Sequence, residues 1–277
     1  LNTPGINNNP ALLITVAMLI ILGGIGFPVL VGIYSSVKQI LVAFIKRIRN
    51  NRMPVKPEKS DIPTRIVIFT TVILIFAGTL FYYLFEPGTG MTGQRLLKSF
   101  FGSVSARTAG FNMTDITQWS YPTVMLMIVL MWIGASPGST GGGIKTTTFT
   151  LALKSVINNL RGRDHLKINN REISHATITR VLSIIFLSLV IITTGFVIIL
   201  VSEPGKNPLY LLFECVSAFS TVGLSLADTS LFSQTGKIVL IFLMFIGRVG
   251  PFTLISGILL SHKKRYYRYP ELEILIN

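Results

Sequence analysis

Long apolar runs alternate along the chain with short polar segments rich in lysine and arginine. A helix needs roughly 20 apolar residues to cross a hydrocarbon layer about 30 Å thick. Runs of that order extend from Ala11 to about Ile45, from about Thr64 to Phe85, from about Thr177 to Val201 and from Gly236 to Leu260. Another starts near Tyr121, is interrupted at Gly134 to Gly143, and resumes as IKTTTFTLALKSVI. Two half-apolar stretches, Gln94 to Ala106 and Pro208 to Phe219, are too short to span. They predict re-entrant helices that enter and leave the membrane on one side.

The pattern repeats within the chain. Setting VSARTAGF (from Val104) against SAFSTVGL (from Ser217) pairs Thr108 with Thr221 and Gly110 with Gly223, an offset of 113. At the same offset Trp132-Ile133-Gly134 meets Phe245-Ile246-Gly247, and Thr140 meets Thr253. Each unit therefore reads as helix, short pore helix, extended loop, helix. Near the start, LGGIGF (from Leu22) is similar to IGRVGPF (from Ile246), so the chain opens inside an earlier unit. It begins without Met and shows no amino-terminal signal pattern, and the expectation is a fragment. The predicted organisation is 1–60, last helix of an earlier repeat with a linker; 61–172, one full repeat; and 173–277, a second repeat with a tail. The fold class expected is an all-α membrane protein whose repeated helix–pore loop–helix units surround a pseudo-symmetric ion pore.

Charge changes the picture by fixing orientation. Half of the residues are hydrophobic and 13% are charged, against roughly 25% in soluble domains. The net charge of +14 is concentrated just outside the apolar runs: Lys46, Arg47, Arg49, Arg52 and Lys56; Arg161, Arg163, Lys167 and Arg171; Lys263, Lys264, Arg265 and Arg268. Such placement marks cytoplasmic segments and argues against nucleic-acid binding as the purpose of the basicity. The two full units then share one topology and are parallel repeats about an axis along the membrane normal, the arrangement that encloses a pore. The basic segments also suit anionic lipid or an acidic partner face. The single cysteine, Cys215, excludes an internal disulfide and reads as a small packed residue.

The chemistry lies in the loops. Non-helical backbone at membrane depth survives only where it is buried or lines a watery cavity. A small-residue loop after a pore helix can aim successive carbonyl oxygens inward, in place of a cation's hydration shell. Glycine at 110 and 223 gives access to backbone angles closed to other residues. The negative ends of the pore helices favour a cation there. The plainer reading is a pair of glycine-containing turns between helices. Farther on, Pro137 and glycines 138, 141, 142 and 143 break the helix after the first loop, as a gate or as a passive kink. Arg248 is an intramembrane charge and functional by default. It either repels cations or braces the glycine-rich break by donating to its carbonyls. Arg107 suits a structural role through carbonyls or a carboxylate. Glu214 is a candidate anchor. Lys145 either snorkels to the cytoplasm or contacts the break. His165, His175 and His262 fall in predicted cytoplasmic segments, and neither HExxH nor a phosphate loop occurs, which disfavours an enzyme.

SARTAGFN, FECVSAFSTVGLS, GSTGGGIKTTTF, IGRVGP and RYPELEIL together resemble the Trk/Ktr/HKT superfamily of potassium transporters, over nearly the whole chain. The resemblance implies four helix–pore loop–helix units in one polypeptide, of which this chain matches the end of the second and all of the third and fourth. It implies K+ uptake, with Na+ dependence or permeability as an alternative, and no organic cofactor. Carried over to this sequence, the filter comprises Thr108, Ala109, Gly110 and Phe111 with Thr221, Val222, Gly223 and Leu224, and K+ would sit at Thr108, Gly110, Thr221 and Gly223. The gate comprises Pro137, Gly138, Ser139, Thr140, Gly141, Gly142, Gly143, Lys145 and Arg248. The implied partners are a second copy in a homodimer, a cytosolic nucleotide-binding regulatory subunit and membrane lipids. The implied location is the plasma (inner) membrane, with the C-terminus cytoplasmic. A secondary transporter of another cation or small solute is the competing class.

Overall fold

The structure is a computed structural model that describes residues 9–48, 62–86, 92–113, 115–163, 166–168 and 171–259. Its helices are α1 (Pro10–Ile25), α2 (Phe27–Ile48), α3 (Ile62–Phe85), α4 (Thr92–Ser105), α5 (Tyr121–Trp132), α6 (Thr146–Leu160), α7 (His175–Ser202), α8 (Pro208–Phe219), α9 (Gln234–Val249) and α10 (Pro251–Leu259). A two-residue antiparallel hairpin, β1 (Lys167–Ile168) with β2 (Arg171–Glu172), joins α6 to α7. Arg49, Arg52, Lys56, His165, His262 and the basic tail lie outside the described residues.

Helix starts follow local chemistry. Asn9, Ser174, Asn207 and Ser233 accept the first free amides of α1, α7, α8 and α9 through their side chains. Proline stands in the first turn of α1, α5 and α8, where its missing N–H costs nothing. Helices α3 and α7 are long and apolar enough to cross a membrane. The pair α1–α2 meets that test jointly but bends by 100°.

That bend corrects one expectation. The runs Ala11–Ile45 and Gly236–Leu260 are not continuous helices. The first breaks at Gly26 (φ 87°) and the second at Gly250 (φ 95°). A proline follows each break, at 28 and 251. A left-handed glycine ends a helix and a proline opens the next, so two residues outweigh thirty apolar ones. The third run breaks where expected, between Trp132 and Thr146, and a parallel bridge between Ile133 and Ile144 closes the excursion.

Each short helix packs on long ones: α3 and α1 pack on α4, and α7, α9 and α5 pack on α8. Helix α8 is the centre of the larger core. Leu211, Phe213 and Phe219 are fully buried and pack among Met127 and Met131 of α5, Ile192 and Ile199 of α7, and Leu240 and Leu243 of α9. A smaller cluster joins Leu13 and Ala17 of α1 to Phe101 and Val104 of α4. Outward-facing Phe76, Phe186, Val201, Ile241 and Phe242 stay exposed. So much unsatisfied apolar surface on long helices suits a lipid solvent.

A capping device recurs in both units. The residue after α3, Glu86, accepts from Ser120 N (3.2 Å), and the residue after α7, Glu203, accepts from Ser233 N (2.6 Å). Ser120 and Ser233 open α5 and α9. A carboxylate at the end of one helix thus neutralises the positive end of the second helix after it. The sequence signal is EPG, present at 86–88 and 203–205. Asp115 and Asp228, also 113 apart, each accept the amide two residues on and cap a short 3-10 turn.

Candidate functional site

Each short helix ends in a loop whose geometry is the same in both units. Thr108 (φ 70°) and Thr221 (φ 53°) are left-handed, and so are Gly110 (72°) and Gly223 (90°), whereas Ala109 and Val222 between them are not. A β-branched residue in that region is an outlier, and such strain costs about 1–3 kcal/mol per residue. Among the described residues no other non-glycine residue adopts it. Alternation of handedness gathers successive amide groups on one side of the chain. Here that side faces the pore helix. Ala109 N and Gly110 N donate to the Ser105 carbonyl, Val222 N donates to the Ser217 carbonyl, and Gly223 N donates to Ser217 Oγ. None of the carbonyls of Thr108, Ala109, Gly110, Thr221, Val222 and Gly223 accepts a hydrogen bond among the described residues.

The two loops meet. A Cβ added to Gly110 would lie 2.3 Å from the Val222 carbonyl oxygen and 3.2 Å from Gly223 Cα. No side chain fits there.

The carbonyl of the fourth residue in each loop already accepts a hydrogen bond. Ser105 Oγ donates to the Phe111 carbonyl, and Ser217 Oγ donates to the Leu224 carbonyl at 2.6 Å. Those two oxygens turn back toward the helix that carries the loop. The pairing also exposes a one-residue difference between units. Serine precedes threonine by three residues in one loop and by four in the other, so the constant offset fails at this point. Beyond the loop, Glu214 accepts from Ser225 Oγ (2.8 Å), Leu226 N (2.7 Å) and Ala227 N (3.0 Å). It is an anchor for the strand leaving the second loop, and the first unit has Phe101 or Gly102 at the corresponding place.

Directly against the threonines sits the glycine-rich break. Gly142 N donates to Thr221 Oγ1 at 2.9 Å. A Cβ on Gly141 would fall 2.3 Å from Thr108 Oγ1, and one on Gly142 would fall 2.6 Å from Thr221 Oγ1. The break is held from three other directions. Ser136 N donates to the Gly24 carbonyl (3.0 Å) and Phe27 N to the Gly138 carbonyl (3.3 Å), which docks it on the α1–α2 bend. Lys145 Nζ donates to the Gly141 carbonyl at 2.6 Å, so this lysine contacts the break. Arg248, in the last turn of α9, donates to the Thr140 carbonyl. Pro137, Gly138 and Thr140 are exposed, and Ser139 is half-buried with Oγ on the Ser136 carbonyl. Gly138 and Gly143 are left-handed. Arg107, 6% exposed, reaches the carbonyls of Thr71 and Gly134 at 3.5 Å each. The guanidinium ties α3 to the start of the break, and no carboxylate partners it among the described residues.

Comparison with known proteins gives this arrangement its class. The family model described as TrkH, cation transport protein, matches residues 5–264. The chain belongs to that family of membrane transporters. It is 36% identical over 274 residues to the Ktr system potassium uptake protein B of Vibrio alginolyticus, an alignment covering 97% of this chain and 56% of that one. It is 35% identical over 263 residues to the Ktr system potassium uptake protein D of Bacillus subtilis (94% and 55%). To the potassium/sodium uptake protein NtpJ of Enterococcus hirae it is 32% identical over 280 residues (97% and 58%). The crystal structure of the potassium transporter TrkH from Vibrio parahaemolyticus shares the fold, with a TM-score of 0.69 at 19% identity over 94% of this chain and 54% of that one. The chain thus spans about half the length of the curated relatives it matches.

Proposed function

We propose that this chain supplies part of a K+ uptake pathway. The carbonyls of Thr108, Ala109, Gly110, Thr221, Val222 and Gly223 form its contribution to the selectivity filter. The observation that carries the reading is the repeated threonine–glycine handedness pattern. Both loops turn their amides toward a pore helix and leave six carbonyls unpaired where the loops meet. Oxygens so arranged replace the hydration shell of a dehydrated cation. Phe111 and Leu224 complete the expected set; each of their carbonyls accepts one serine hydroxyl and keeps a second lone pair for a cation. Residues 134–145 with Arg248 act as a gate under the filter. The division at 60 and 172 marks the repeats, and the basic segments and C-terminus face the cytoplasm of a plasma-membrane protein. The full-length protein is a transporter and no enzyme, assembled as a homodimer with a cytosolic nucleotide-binding regulatory subunit.

The test is Rb+ uptake by the full-length protein in cells that lack their own potassium uptake. Saturable uptake that exceeds Na+ uptake is expected. Absence of uptake in membranes that contain the protein refutes the proposal. A Na+-permeable form is the second reading, supported by the resemblance to a relative named for both ions.

A further inference from the structure

The contact between the glycine-rich break and the filter threonines is more specific than obstruction requires. A threonine hydroxyl oxygen has two lone pairs. One of those on Thr221 Oγ1 is occupied by the Gly142 amide at 2.9 Å. The same oxygen stands at the base of a loop whose amides donate to the pore helix and whose first three carbonyls accept no hydrogen bond among the described residues. Gly142 also covers Thr221 Cγ2, to which an added Cβ would come within 2.9 Å, and Gly141 covers Thr108 Oγ1 in the first loop. Beside them, Ser220 Oγ is buried without a partner, 3.1 Å from where a Cβ of Gly143 would be. Three successive glycines thus press main chain against three hydroxyl-bearing residues at the foot of both loops. Two cationic side chains, Lys145 and Arg248, hold that main chain by its carbonyls at 141 and 140.

We propose that the Gly142 amide and a permeating alkali cation compete for the Thr221 hydroxyl oxygen, so that closing the break empties the innermost cation position and filling that position opens the break. This rests on the transport reading above and adds its regulation. An amide hydrogen and a cation seek the same lone pairs, and each carries positive charge toward the other. The ammonium of Lys145, at the end of the break, and the guanidinium of Arg248, which holds the break from α9, add positive charge there. Two binding events that exclude one another are reciprocally linked, and each weakens the other by the same factor. The gate then senses ion occupancy at its own tip, independently of any cytosolic partner.

The experiment uses the full-length transporter in proteoliposomes. A thiol placed by Ser139→Cys reports the position of the break through its rate of modification by a small water-soluble reagent. Replacing N-methyl-D-glucamine by K+ at constant ionic strength should raise that rate about fivefold or more, the lower range of measured couplings. Thr221→Ser, which keeps the hydroxyl, should retain the K+ dependence, and Thr221→Val should abolish it. A rate indifferent to K+ in protein that still takes up Rb+ overturns the competition and leaves the transport reading standing. So does full K+ dependence in Thr221→Val. Absence of Rb+ uptake by the unsubstituted protein overturns both. Should Thr221→Val fail to assemble, the K+ dependence in the Thr221-containing protein decides alone.

Discussion

Gly247 gives the sharpest handle on how the second loop is supported. It lies in α9 against the end of α8, and a Cβ added there would fall 1.7 Å from the Phe219 carbonyl oxygen and 2.6 Å from its carbon. Real Cβ atoms do not approach another heavy atom within 3.0 Å, so Gly247→Ala must open the contact by about 1.3 Å. The obstacle is backbone, and it immediately precedes Ser220 and the left-handed Thr221. Overpacking of this kind costs about 1–3 kcal/mol, and displacement on the ångström scale is enough to ruin a constellation that works within about 0.5 Å. Gly195→Ala is the internal comparison. Its nearest neighbours would be side-chain atoms of Leu243, Cδ1 at 2.9 Å and Cγ at 3.2 Å, which yield more readily than backbone. In the full-length protein, Gly247→Ala should cut Rb+ uptake at least tenfold and lower the thermal midpoint, and Gly195→Ala should do little to uptake. If both variants transport Rb+ equally and unfold together, the claim that α9 positions the second loop through bare backbone contact is wrong.

Three further outcomes follow from the same geometry. Arg248→Gln removes a charged donor from the Thr140 carbonyl; Rb+ flux should rise in flux assays, and unchanged flux removes Arg248 from gating. Glu214→Gln weakens three hydrogen bonds to residues 225–227. Its Rb+/Na+ uptake ratio should fall several-fold, and a preserved ratio means that the anchor does not shape the filter. The Glu203 carboxyl is held down to about 2, first by its hydrogen bond from Lys206 and then by those from Ser233. A depressed acid stabilises the fold fully above its ordinary value of 4.5, and that contribution fades as pH falls through about 2. The thermal midpoint of the unsubstituted protein should therefore exceed that of Glu203→Gln at pH 7 and converge with it in strong acid; a pH-independent gap contradicts this.

How much of this was legible beforehand depends on what kind of signal each residue leaves. Apolar run length announced the long helices, and the short pore helices stood out because about a dozen apolar residues cannot span. The threonine–glycine loops were found through repetition, since a TxG triplet alone is an ordinary turn. The bends at Gly26 and Gly250 were hidden because hydropathy averages over a single glycine followed by proline. The Ser105 and Ser217 ties were hidden because a gapless alignment set Ser217 against Val104. Glu214, Lys145 and Arg248 could be singled out as charges in an apolar setting, but their partners could not: Arg248 bonds a carbonyl 108 residues away, Glu214 bonds groups 11 to 13 residues on, and Lys145 bonds a carbonyl only four residues back. A carbonyl leaves no trace in a sequence.

The unequal spacing, three residues from Ser105 to Thr108 and four from Ser217 to Thr221, has a consequence of its own. A pore built from separate identical chains must alter every quadrant when it alters one. Tandem units on a single polypeptide are released from that constraint, and here the two loops differ in how their serines brace them. Matching substitutions in the two loops, Thr108→Ser and Thr221→Ser for example, should therefore give different transport phenotypes.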